Sequence, residues 1–484
     1  MKSIAKYVPI FSIVAAVLIV FSSGPAAAQA GQLYSGTSNP GIVYAYDGTS
    51  WTAISASLGF AVLDLIEFQG DLYAATKSSR YGGDGLVYRY DGGENWTPLL
   101  PTMDQQVCDL VEWEGVLYAG TAWSGGKLYR YNPDTTSFDY VGTVDGAPPV
   151  EGSWSGIRAM YVWIYPWLQL GDLGHDKFGR FDGTDFYYDV NLYGSCIYDF
   201  AEFNDVLYAA AWEGRLLSSS NGINWADVQS YTGSNIWELE PFQGYLYMGN
   251  YSGNLRRRDA SGTTTDVWNA PDDIVSMVAD GDSVLYLGSG GEAGYHNEGS
   301  GTARVYVYDG SVEPPVEIFN ADAINNHDHA GVQCLYLVPS ISISVDIKPG
   351  SCPNPLNHVK DKGVLPVAVL GTMDFDVTTI DPGTIRLTRE PVDCFVQPIL
   401  WSCEDVATPF EEELCDCHDL NGDGYMDLTL KFDTQELVSC LALEEVAGET
   451  IPLKLTGNLK EEDGGTPITG EDCVQVLNPG GGNK

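Results

Sequence analysis

Positive charge is scarce in this sequence. Its 484 residues include 24 lysines and arginines against 66 aspartates and glutamates, which gives a formal net charge of −42. A surface of that sign repels the phosphates of nucleic acids and anionic lipid headgroups, so neither is expected as a partner. Long apolar runs are also scarce, because no stretch after residue 30 reaches the length that spans a bilayer.

The first 30 residues have the composition of a targeting segment. Lys2 and Lys6 form a basic start, Tyr7–Phe21 is an apolar run, and small-residue cleavage sites follow Ala28 and Ala30. This order is that of a signal peptide, and a retained N-terminal anchor is the alternative. We therefore expect a protein that is secreted, periplasmic or at the cell surface, with no membrane insertion after the signal is cleaved.

Cysteine is sparse in the first two thirds of the chain and dense in the last third. Cys108, Cys196 and Cys334 fall in predicted strands, where cysteine behaves as a small buried apolar residue. In an exported protein the dense set favours disulfides, and its odd number leaves at least one member without a partner in that region. We expect one bridge between Cys352 and Cys473, near the two ends of the region, and the other pairings stay open. The dense set is Cys352, Cys394, Cys403, Cys415, Cys417, Cys440 and Cys473.

A repeated pattern organises residues 31–339. The stretch Val62–Thr76 contains an apolar strand, a tight turn and a second strand, and it recurs as Val107–Thr121, Cys196–Ala211, Ile236–Asn250 and Ile274–Ser289. A degenerate copy occupies 157–183, and third and fourth strands follow the copies. Equivalent Leu-Tyr positions are roughly 39 to 50 residues apart, which is the spacing of four-stranded propeller blades.

The two ends of the repeat region complement each other. The unit at Leu33–Tyr34 has no first strand before it, whereas Val332–Val338 matches a first strand and has no later strands of its own. Pairing these two segments would close a ring and remove exposed sheet edges. The sequence therefore predicts an all-β protein with a seven-bladed β-propeller over 31–339, in which the closing strand 332–338 pairs with the N-terminal blade.

Three short motifs carry a family resemblance: Leu-Tyr-Ala-Gly-Thr at 117–121, Tyr-Arg-Tyr-Asp-Gly at 88–92, and Ser219–Trp225, which is a weak Asp-box. The region resembles secreted bacterial propellers of the Kelch-like and sialidase-like superfamilies. The resemblance implies the fold and no single activity, because propellers host many functions. A sialidase-like site would need an arginine cluster, and the run Arg256–Arg258 must alternate its side chains between two faces of a strand.

Beyond the propeller, residues 343–478 show alternating strands without the repeat, which predicts a smaller β-sandwich. Val345–Ser351, Gly363–Ala368 and Leu428–Asp433 resemble a C-terminal accessory domain of exported prokaryotic proteins, a family without an assigned activity. The tail 479–484 is glycine-rich and is expected to be disordered.

The second domain contains a loop with the spacing D-x-N-x-D-G-x-x-D. Calcium is a hard cation that takes six to eight oxygen ligands, and alternate positions of a tight loop can direct several oxygens at one centre. The loop resembles the calcium hairpins of integrin-type propellers, and an Asp/Asn/Gly turn without an ion is the alternative. The expected Ca²⁺ ligands are Asp419, Asn421, Asp423, Tyr425 through its carbonyl, and Asp427.

Carboxylates recur at two positions of the repeat. Because chemistry needs one acid placed differently from its partner, a residue shared by most blades favours a structural role, in which it bonds backbone in a neighbouring unit. A cation site in the channel and an acid–base pair are the alternatives. One set is Asp64, Asp109, Asp199 and Glu238, and the other is Glu67, Glu112 and Glu202.

Aromatic residues concentrate in the loops expected on one face of the propeller. Such a face suits stacking on sugar rings or contact with a protein. We therefore expect an exported, non-enzymatic binding or scaffold protein that engages a glycan or an extracellular protein. The alternative is an extracellular carbohydrate-active enzyme, either a glycoside hydrolase or a polysaccharide lyase. The candidate face is Tyr81, Trp123, Trp154, His175, Trp212, Tyr251 and Tyr295.

Overall fold

The computed structural model describes residues 32–478 apart from 49, 81–82, 104–105, 123–125, 144–155, 165, 173–177, 190–195, 232–234, 282, 291–301, 312–313, 322–330, 358–362, 374, 390–391, 410–413, 416–419 and 461–465. The predicted signal peptide and the C-terminal tail lie outside these residues. Within them, no helix is long and apolar enough to cross a membrane.

The described part of the propeller consists of antiparallel sheets that follow one another along the chain. Blade 1 begins with β1 (Leu33–Gly41), β2 (Val43–Tyr46) and β3 (Trp51–Ala53). Blade 2 is β4 (Gly59–Phe68), β5 (Asp71–Lys77), β6 (Gly85–Gly92) and β7 (Asn95–Met103). Blade 3 is β8 (Gln106–Trp113), β9 (Val116–Ala122), β10 (Lys127–Asn132) and β11 (Ser137–Thr143). Blade 4 is β12 (Ile157–Val162), β13 (Leu168–Asp172), β14 (Phe178–Phe181) and β15 (Phe186–Asp189).

The remaining blades repeat the same order of strands. Blade 5 is β16 (Ile197–Phe203), β17 (Val206–Ala211), β18 (Arg215–Ser219) and β19 (Ala226–Ser230). Blade 6 is β20 (Ile236–Phe242), β21 (Tyr245–Asn250), β22 (Asn254–Arg258) and β23 (Thr264–Asn269). Blade 7 is β24 (Ile274–Asp280), β25 (Val284–Ser289), β26 (Arg304–Tyr308) and β27 (Val316–Asn320). One more strand, β28 (Gly331–Leu337), follows blade 7.

Strand β28 completes blade 1. It pairs antiparallel with β1, with Leu337 opposite Leu33 and Leu335 opposite Ser35, so the first blade has the order β28-β1-β2-β3. Blade 1 therefore takes its innermost strand from the far end of the repeat region. Within the described residues the propeller has seven blades, as the fold class predicted, and the pairing that was expected to close the ring is present.

Apolar packing joins every blade to the next. Seven separate clusters of buried side chains lie between successive blades of the described propeller, including the junction of blade 7 with blade 1. At that junction Phe319 of β27 contacts Tyr44 and Trp51 of blade 1, with ring centroids 5.0 and 4.7 Å apart. The sheet faces are thus buried between blades, which is why a single blade could not be stable alone.

The small residue in the Leu-Tyr-Ala-Gly repeat has a packing cause. A β carbon built on Gly171 would lie 2.8 Å from Ile197 Cγ2, a β-branched side chain on the first strand of the next blade. The same contact recurs at Gly120 with Ile157 and at other blade junctions. Close approach of the neighbouring first strand, rather than turn geometry, therefore selects glycine or alanine at this position.

The second domain is a β-sandwich. One sheet contains β29 (Ile341–Ser342), β31 (Pro355–Leu356), β33 (Ile380–Arg389), β34 (Val392–Val396), β37 (Thr450–Leu459) and β38 (Pro467–Val476). The other contains β30 (Val345–Ile347), β32 (Val364–Val369), β35 (Leu400–Glu404) and β36 (Asp427–Asp433). Between the sheets lies one core that includes Leu387 and Leu453 from the first and Val367 and Leu430 from the second. Short 3-10 turns occur at Trp212–Gly214, Val377–Thr379 and Leu443–Val446.

One helix, α1 (Thr434–Cys440), follows β36 and was not predicted. The Asp433 carboxylate caps it by accepting hydrogen bonds from the backbone N–H groups of Gln435 (2.9 Å) and Glu436 (3.1 Å). A disulfide between Cys440 and Cys394 ties the end of this helix to β34, with the two Cα atoms 5.6 Å apart.

The structure corrects the expected bridge between Cys352 and Cys473. Cys473 on β38 is bonded to Cys415, and the two Cα atoms are 4.9 Å apart. Cys352 is disulfide-bonded as well, but not to Cys473. Proximity to the ends of a domain does not bring two cysteines together, since strand order decides which segments become neighbours. Cys403 on β35 is an exposed thiol outside the disulfides, as the odd count required.

Candidate functional site: the propeller channel

A β-bulge occurs at the same place on the innermost strand of every blade. In blade 6, Ile236 pairs with Asn250 and Glu238 with Gly249, so Trp237 is skipped. A bulge turns an extra side chain out of the pleat, and here it turns it into the channel. We call the skipped residues the bulge ring; they are Leu63, Cys108, Arg158, Tyr198, Trp237, Val275 and Gln333.

The residue after each bulge forms a second ring, which we call the staple ring. Together the two rings line a central cavity of about 200 Å³. The staple ring contains four of the recurrent acids and three other residues. Its members are Asp64, Asp109, Ala159, Asp199, Glu238, Ser276 and Cys334.

Each acid of the staple ring bonds the backbone of the next blade. Its carboxylate accepts a hydrogen bond from an N–H group on the neighbouring innermost strand, which holds the two strands in register. A hydrogen bond to a neutral group contributes about 0.5–1.5 kcal/mol, so the contacts together are a substantial part of ring closure. The pairs are Asp64 with Leu110 N (2.7 Å), Asp109 with Met160 N, Asp199 with Leu239 N (2.7 Å) and Glu238 with Met277 N.

Blade 6 contributes a further contact of this kind. The Glu240 carboxylate, two residues after Glu238, accepts a hydrogen bond from Ala279 N at 2.9 Å. The structural interpretation of the repeated acids thus agrees with the observed bonds. The other recurrent set differs, because Glu202 is exposed and the Glu67 carboxylate accepts from Gly70 N within its own turn.

Burial raises the pKa of every one of these channel acids. Burial is the largest cause in each case, and it raises the pKa of Asp199 to about 7 and that of Glu240 to about 8. The pKa of Glu238 also lies well above its usual range, because of burial and then the charges of Asp199 and Glu240. The channel therefore favours protonated acids unless positive charge enters it.

Asp64 and Asp109 form a hydrogen-bonded pair. A hydrogen bond between two carboxyl groups requires one proton between them. Burial, followed by the Asp64 charge, raises the pKa of Asp109 well above its usual range. Burial raises the pKa of Asp64, and its hydrogen bonds with Leu110 N and with Asp109 partly offset that rise. The two carboxyl groups therefore titrate as a coupled pair, and burial is the main cause that raises the pKa of each.

The described cationic side chain of the cavity wall is Arg158. Its guanidinium carbon lies 4.6 Å from the ring centroid of Tyr198 and 4.9 Å from that of Trp237. Cation–π contacts of this length hold the guanidinium against the aromatic side of the bulge ring. The wall is thus asymmetric, with Arg158 and two aromatic rings on blades 4 to 6.

The predicted aromatic face is only partly within the described residues. Tyr81, Trp123, Trp154, His175 and Tyr295 lie outside them. Trp212 and Tyr251 are half-buried, and both contact the cluster between blades 5 and 6. Trp212 N donates to Cys196 O (2.9 Å) and Tyr251 N to Asn235 O (3.1 Å).

These two backbone bonds locate the loops relative to the channel. Cys196 and Asn235 each lie two residues before a member of the bulge ring, Tyr198 and Trp237. Trp212 and Tyr251 are therefore at the end of the propeller at which the bulge ring lies. The Asn235 side chain also accepts from Glu213 N at 2.9 Å, so it joins the two loops.

The Asp-box-like turn is a folding element. Asn221 Oδ1 accepts hydrogen bonds from the N–H groups of Ile223 (3.0 Å) and Asn224 (2.9 Å). Trp225 then stacks on Phe178 of blade 4, with ring centroids 3.9 Å apart. The turn thereby fastens blade 5 to blade 4.

In the predicted calcium loop, the described residues have different roles. The buried Asp427 carboxylate accepts hydrogen bonds from Gly371 N (3.0 Å), Val406 N (2.8 Å) and Ala407 N (3.1 Å). Asn421, Asp423 and Tyr425 are exposed, whereas Asp419 lies outside the described residues. Of the described side chains, no group of three or more His, Cys, Asp or Glu is placed to hold a metal ion.

Sequence reasoning missed one residue at this loop. Asp405 Oδ2 accepts a hydrogen bond from Gly424 N at 2.9 Å, and its other oxygen lies against Gly422. Asp405 is far from the motif in sequence, and only the pairing of β35 with β36 brings it there. No pattern in the sequence marks it.

Fold and site together define the class: a closed seven-bladed β-propeller with a polar central cavity, followed by a disulfide-bonded β-sandwich. The chain matches no protein-family model and no curated protein.

Solved structures offer distant likenesses at 10–12% identity. YCF48 from Cyanidioschyzon merolae (12%, TM-score 0.35) covers 54% of this chain and 94% of its own. The WD40 β-propeller domain of Doa1 is 12% identical with a TM-score of 0.42, and the match covers 54% of this chain and 87% of that domain. The extracellular domain of BT4673 from B. thetaiotaomicron (10%, TM-score 0.38) covers 94% and 69%. The strand pairings themselves define the fold.

Proposed function

We propose that this protein is an exported, non-enzymatic binding protein that engages a glycan or an extracellular protein through the loop end of its propeller. The observation that carries the proposal is the use of the repeated acids. Each acid of the staple ring bonds a backbone N–H of the next blade, so these four carboxylates serve the ring rather than a reaction. Because the repeated geometry of this propeller serves closure, its loops are the surface that differs from blade to blade.

Trp212 and Tyr251 supply the described part of that surface. Both are half-buried, which fixes their rings against the cluster between blades 5 and 6 while part of each remains accessible. Pre-positioned aromatic rings bind with little loss of side-chain entropy, and they dominate the energetics of many interfaces. Asn235 holds the two loops together, so the pair behaves as one surface.

The test is a glycan array probed with the mature protein, followed by titration of any glycan that binds. We expect Trp212→Ala and Tyr251→Ala each to weaken binding by about fivefold or more, which corresponds to about 1 kcal/mol. Tyr140→Ala is the matched control, because Tyr140 is an exposed aromatic residue on β11, the outermost strand of blade 3. Equal binding by all three variants would contradict the proposal for glycans.

The proposal includes calcium in the second domain. The donors available at the loop are all oxygen, which is the ligand chemistry that Ca²⁺ prefers. Asn421 and Asp423 would hold the ion together with the Tyr425 carbonyl, and Asp405 is placed to add a carboxylate. Asp427 would support the loop indirectly, because the three backbone hydrogen bonds that it accepts fix the strand on which the loop ends. Bound calcium would neutralise the crowded carboxylates and hold the loop in one conformation.

One observation favours an enzyme as the second candidate. The Asp64–Asp109 pair shares a proton, and paired carboxyl groups with separated pKa values can act as acid and base. Asp64→Asn abolishes hydrolysis of a polysaccharide if this pair is catalytic. If the pair only closes the ring, wild type and variant both leave the polysaccharide intact.

A further inference from the structure

One sheet edge of the second domain is uncovered. Strand β35 is the outermost strand of the sheet β30-β32-β36-β35, and none of the described strands pairs with its outer side. The opposite edge of that sheet is joined to the other sheet, because Ile347 N of β30 donates to the Asp472 carboxylate of β38. The edge strand β34 is covered by α1, which the Cys394–Cys440 disulfide holds against it. Strand β35 has no such cover.

The backbone bonds of this sheet show which groups of β35 point outward. Thr434 N donates to Gly363 O at 3.1 Å, in line with the β32–β36 register, so the even-numbered residues of β36 bond β32. Residues of an antiparallel strand bond their two neighbouring strands alternately. The odd-numbered residues of β36 therefore bond β35, and their partners there are even-numbered. The N–H and C=O groups of Trp401 and Cys403 are left to point away from the sheet.

The side chains of β35 are apolar for an exposed edge. Leu400 is 61% exposed and Trp401 is 53% exposed, and Cys403 is an exposed thiol. Trp401 lies opposite Leu430 of β36, a residue of the core between the sheets, so the indole is on the core side of the sheet and is still uncovered. An apolar edge strand with free backbone groups is a template for pairing with another chain.

Strand β35 also lacks the device that protects other edges of this protein. In blades 2, 3, 5, 6 and 7 the outermost strand pairs with a register shift. Such a bulge twists an edge and interrupts its row of bonding groups. Strand β35 pairs with β36 in unbroken register from Leu400 to Glu404. Its outer side is therefore straight enough to accept a further strand.

Charge indicates which strand fits there. The chain as a whole carries −42 and so repels its own copies, but β35 has one charged side chain, the exposed Glu404 at its end. At the other end the exposed Lys431 of β36 lies beside Leu400. This edge is thus acidic at one end and basic at the other. An antiparallel second copy would bring Glu404 of each chain toward Lys431 of the other, which favours pairing.

We propose that two copies of this protein associate by antiparallel pairing of their β35 strands, with Ser402 of both copies on the two-fold axis. Trp401 of each copy lies opposite Cys403 of the other, so every outward N–H group meets an outward C=O group. The two four-stranded sheets become one continuous sheet. The surface belongs to the second domain, so the pairing is independent of what the propeller binds.

The register follows from the outward groups and the charges. Registers that satisfy those groups differ by steps of two residues, and only the one centred on Ser402 pairs all five residues of β35 and places Glu404 beside Lys431. The two Cys403 Cα atoms are then roughly 9 Å apart, from a pair separation of about 5.5 Å and a rise of about 3.4 Å per residue. A disulfide needs about 4.4–6.8 Å. Each Cys403 therefore stays a thiol in the dimer.

The test is sedimentation equilibrium of the full-length mature protein over roughly 1–200 µM, a range that brackets the affinity of a small interface. We expect a monomer–dimer equilibrium with a Kd of about 10 µM. A bis-maleimide with a spacer of about 8 Å should join the two copies, since that length matches the expected thiol separation. Cys403→Ser should abolish this cross-link.

Charge reversal tests the register. Glu404→Lys and Lys431→Glu each place like charges together across the axis and should weaken association by about fivefold or more, whereas the double variant should restore it. Trp401→Ala should weaken association by about tenfold. Leu100→Ala is the matched control, because Leu100 is an equally exposed apolar residue on the bulged outermost strand of blade 2. Thermal unfolding of each variant checks that these surface changes leave the fold intact.

Four results would overturn the proposal. The first is a protein that stays monomeric up to the highest concentration. The second is equal association of Trp401→Ala and Leu100→Ala. The third is a double charge reversal that associates no better than the single variants. The fourth is a dimer whose copies are linked by a disulfide between the two Cys403 residues, because that bond requires a different register. None of these measurements uses a ligand of the propeller, so their failure and that of the proposed function are separate.

Discussion

Glu240 makes the stability of the propeller depend on pH, and Glu240→Gln should remove that dependence. The carboxyl group lies between blades 6 and 7 and accepts from Ala279 N. Burial raises its pKa to about 8, whereas a glutamate in an unfolded chain titrates near 4.3. Between about pH 4 and pH 8, the folded state therefore binds a proton that the unfolded state has released.

The sign follows from this difference in bound protons. Where the folded state holds more protons than the unfolded state, the free energy of unfolding falls as pH rises. The contribution of Glu240 is fully favourable below about pH 4, decreases up to about pH 8, and is constant above it. A span of about 3.5 pH units corresponds to roughly 3–6 kcal/mol at about 1.4 kcal/mol per unit.

Glutamine has the shape of glutamate and can still accept from Ala279 N, but it does not titrate. At pH 5, where the folded Glu240 is protonated and an unfolded glutamate is mostly ionised, the stability of Glu240→Gln should exceed that of wild type by only about 1 kcal/mol. At pH 8.5 the variant should be more stable by roughly 3–6 kcal/mol. The direction distinguishes this explanation from simple loss of a contact, which would destabilise the variant at both values.

The assay is urea unfolding at pH 5, 7 and 8.5, followed by tryptophan fluorescence. Of the 12 tryptophans, only Trp401 lies beyond the propeller region, so the signal reports the propeller. Glu202→Gln is the matched control, because its side chain is exposed, and it should stay within about 0.5 kcal/mol of wild type. A stability difference between Glu240→Gln and wild type that is the same at pH 5 and 8.5 would refute the reasoning.

Two further predictions concern packing and calcium. Gly171→Ala should destabilise the propeller by about 1–3 kcal/mol, since the new methyl would lie 2.8 Å from Ile197 Cγ2. Combined with Ile197→Ala, it should lose less than the sum of the two single changes in denaturant unfolding, and strict additivity would contradict the contact. Asp423→Ala should lower the melting temperature of the second domain only when calcium is present, as scanning calorimetry with and without a chelator would show. Equal melting of variant and parent in excess calcium would count against the ion.

The sequence predicted the ring because each blade repeats the same local signals. The closing strand could be placed because Leu335 aligns with Leu65 and Leu110 in the repeat. In the structure Leu335 lies opposite Ser35 of β1. The small residue before Thr121 was visible as a pattern, although its cause, contact with Ile157 of the next blade, required the structure.

The bulge ring was not predicted, although a signal for it existed. In each repeat the residue before the recurrent acid is the one that enters the channel, and Trp237 before Glu238 is an example. Because these residues have no common chemistry, from Leu63 to Arg158, no composition pattern draws attention to them. Only the shift in strand register reveals that they share a direction.

The second domain shows the same limit. Asp433 and Glu436 have the spacing of a helix N-terminal cap, but they follow a strand directly and the short helix after them was not predicted. The pairing of Cys473 with Cys415 depends on how distant segments pack, which spacing does not encode. Both features follow from tertiary contacts rather than from local propensity.

The positions at which the repeat fails are the informative ones for function. Four acids of the staple ring perform one task, so they cannot distinguish one ligand from another. Ser276 stands where an acid would reach the next blade, but its hydroxyl makes no described bond. Arg158 likewise departs from the pattern, because it carries a positive charge in the bulge ring, whose other members are uncharged side chains. Because the repeat accounts for closure, we expect any selectivity of the propeller to reside at positions that depart from the repeat, of which Ser276 and Arg158 are two.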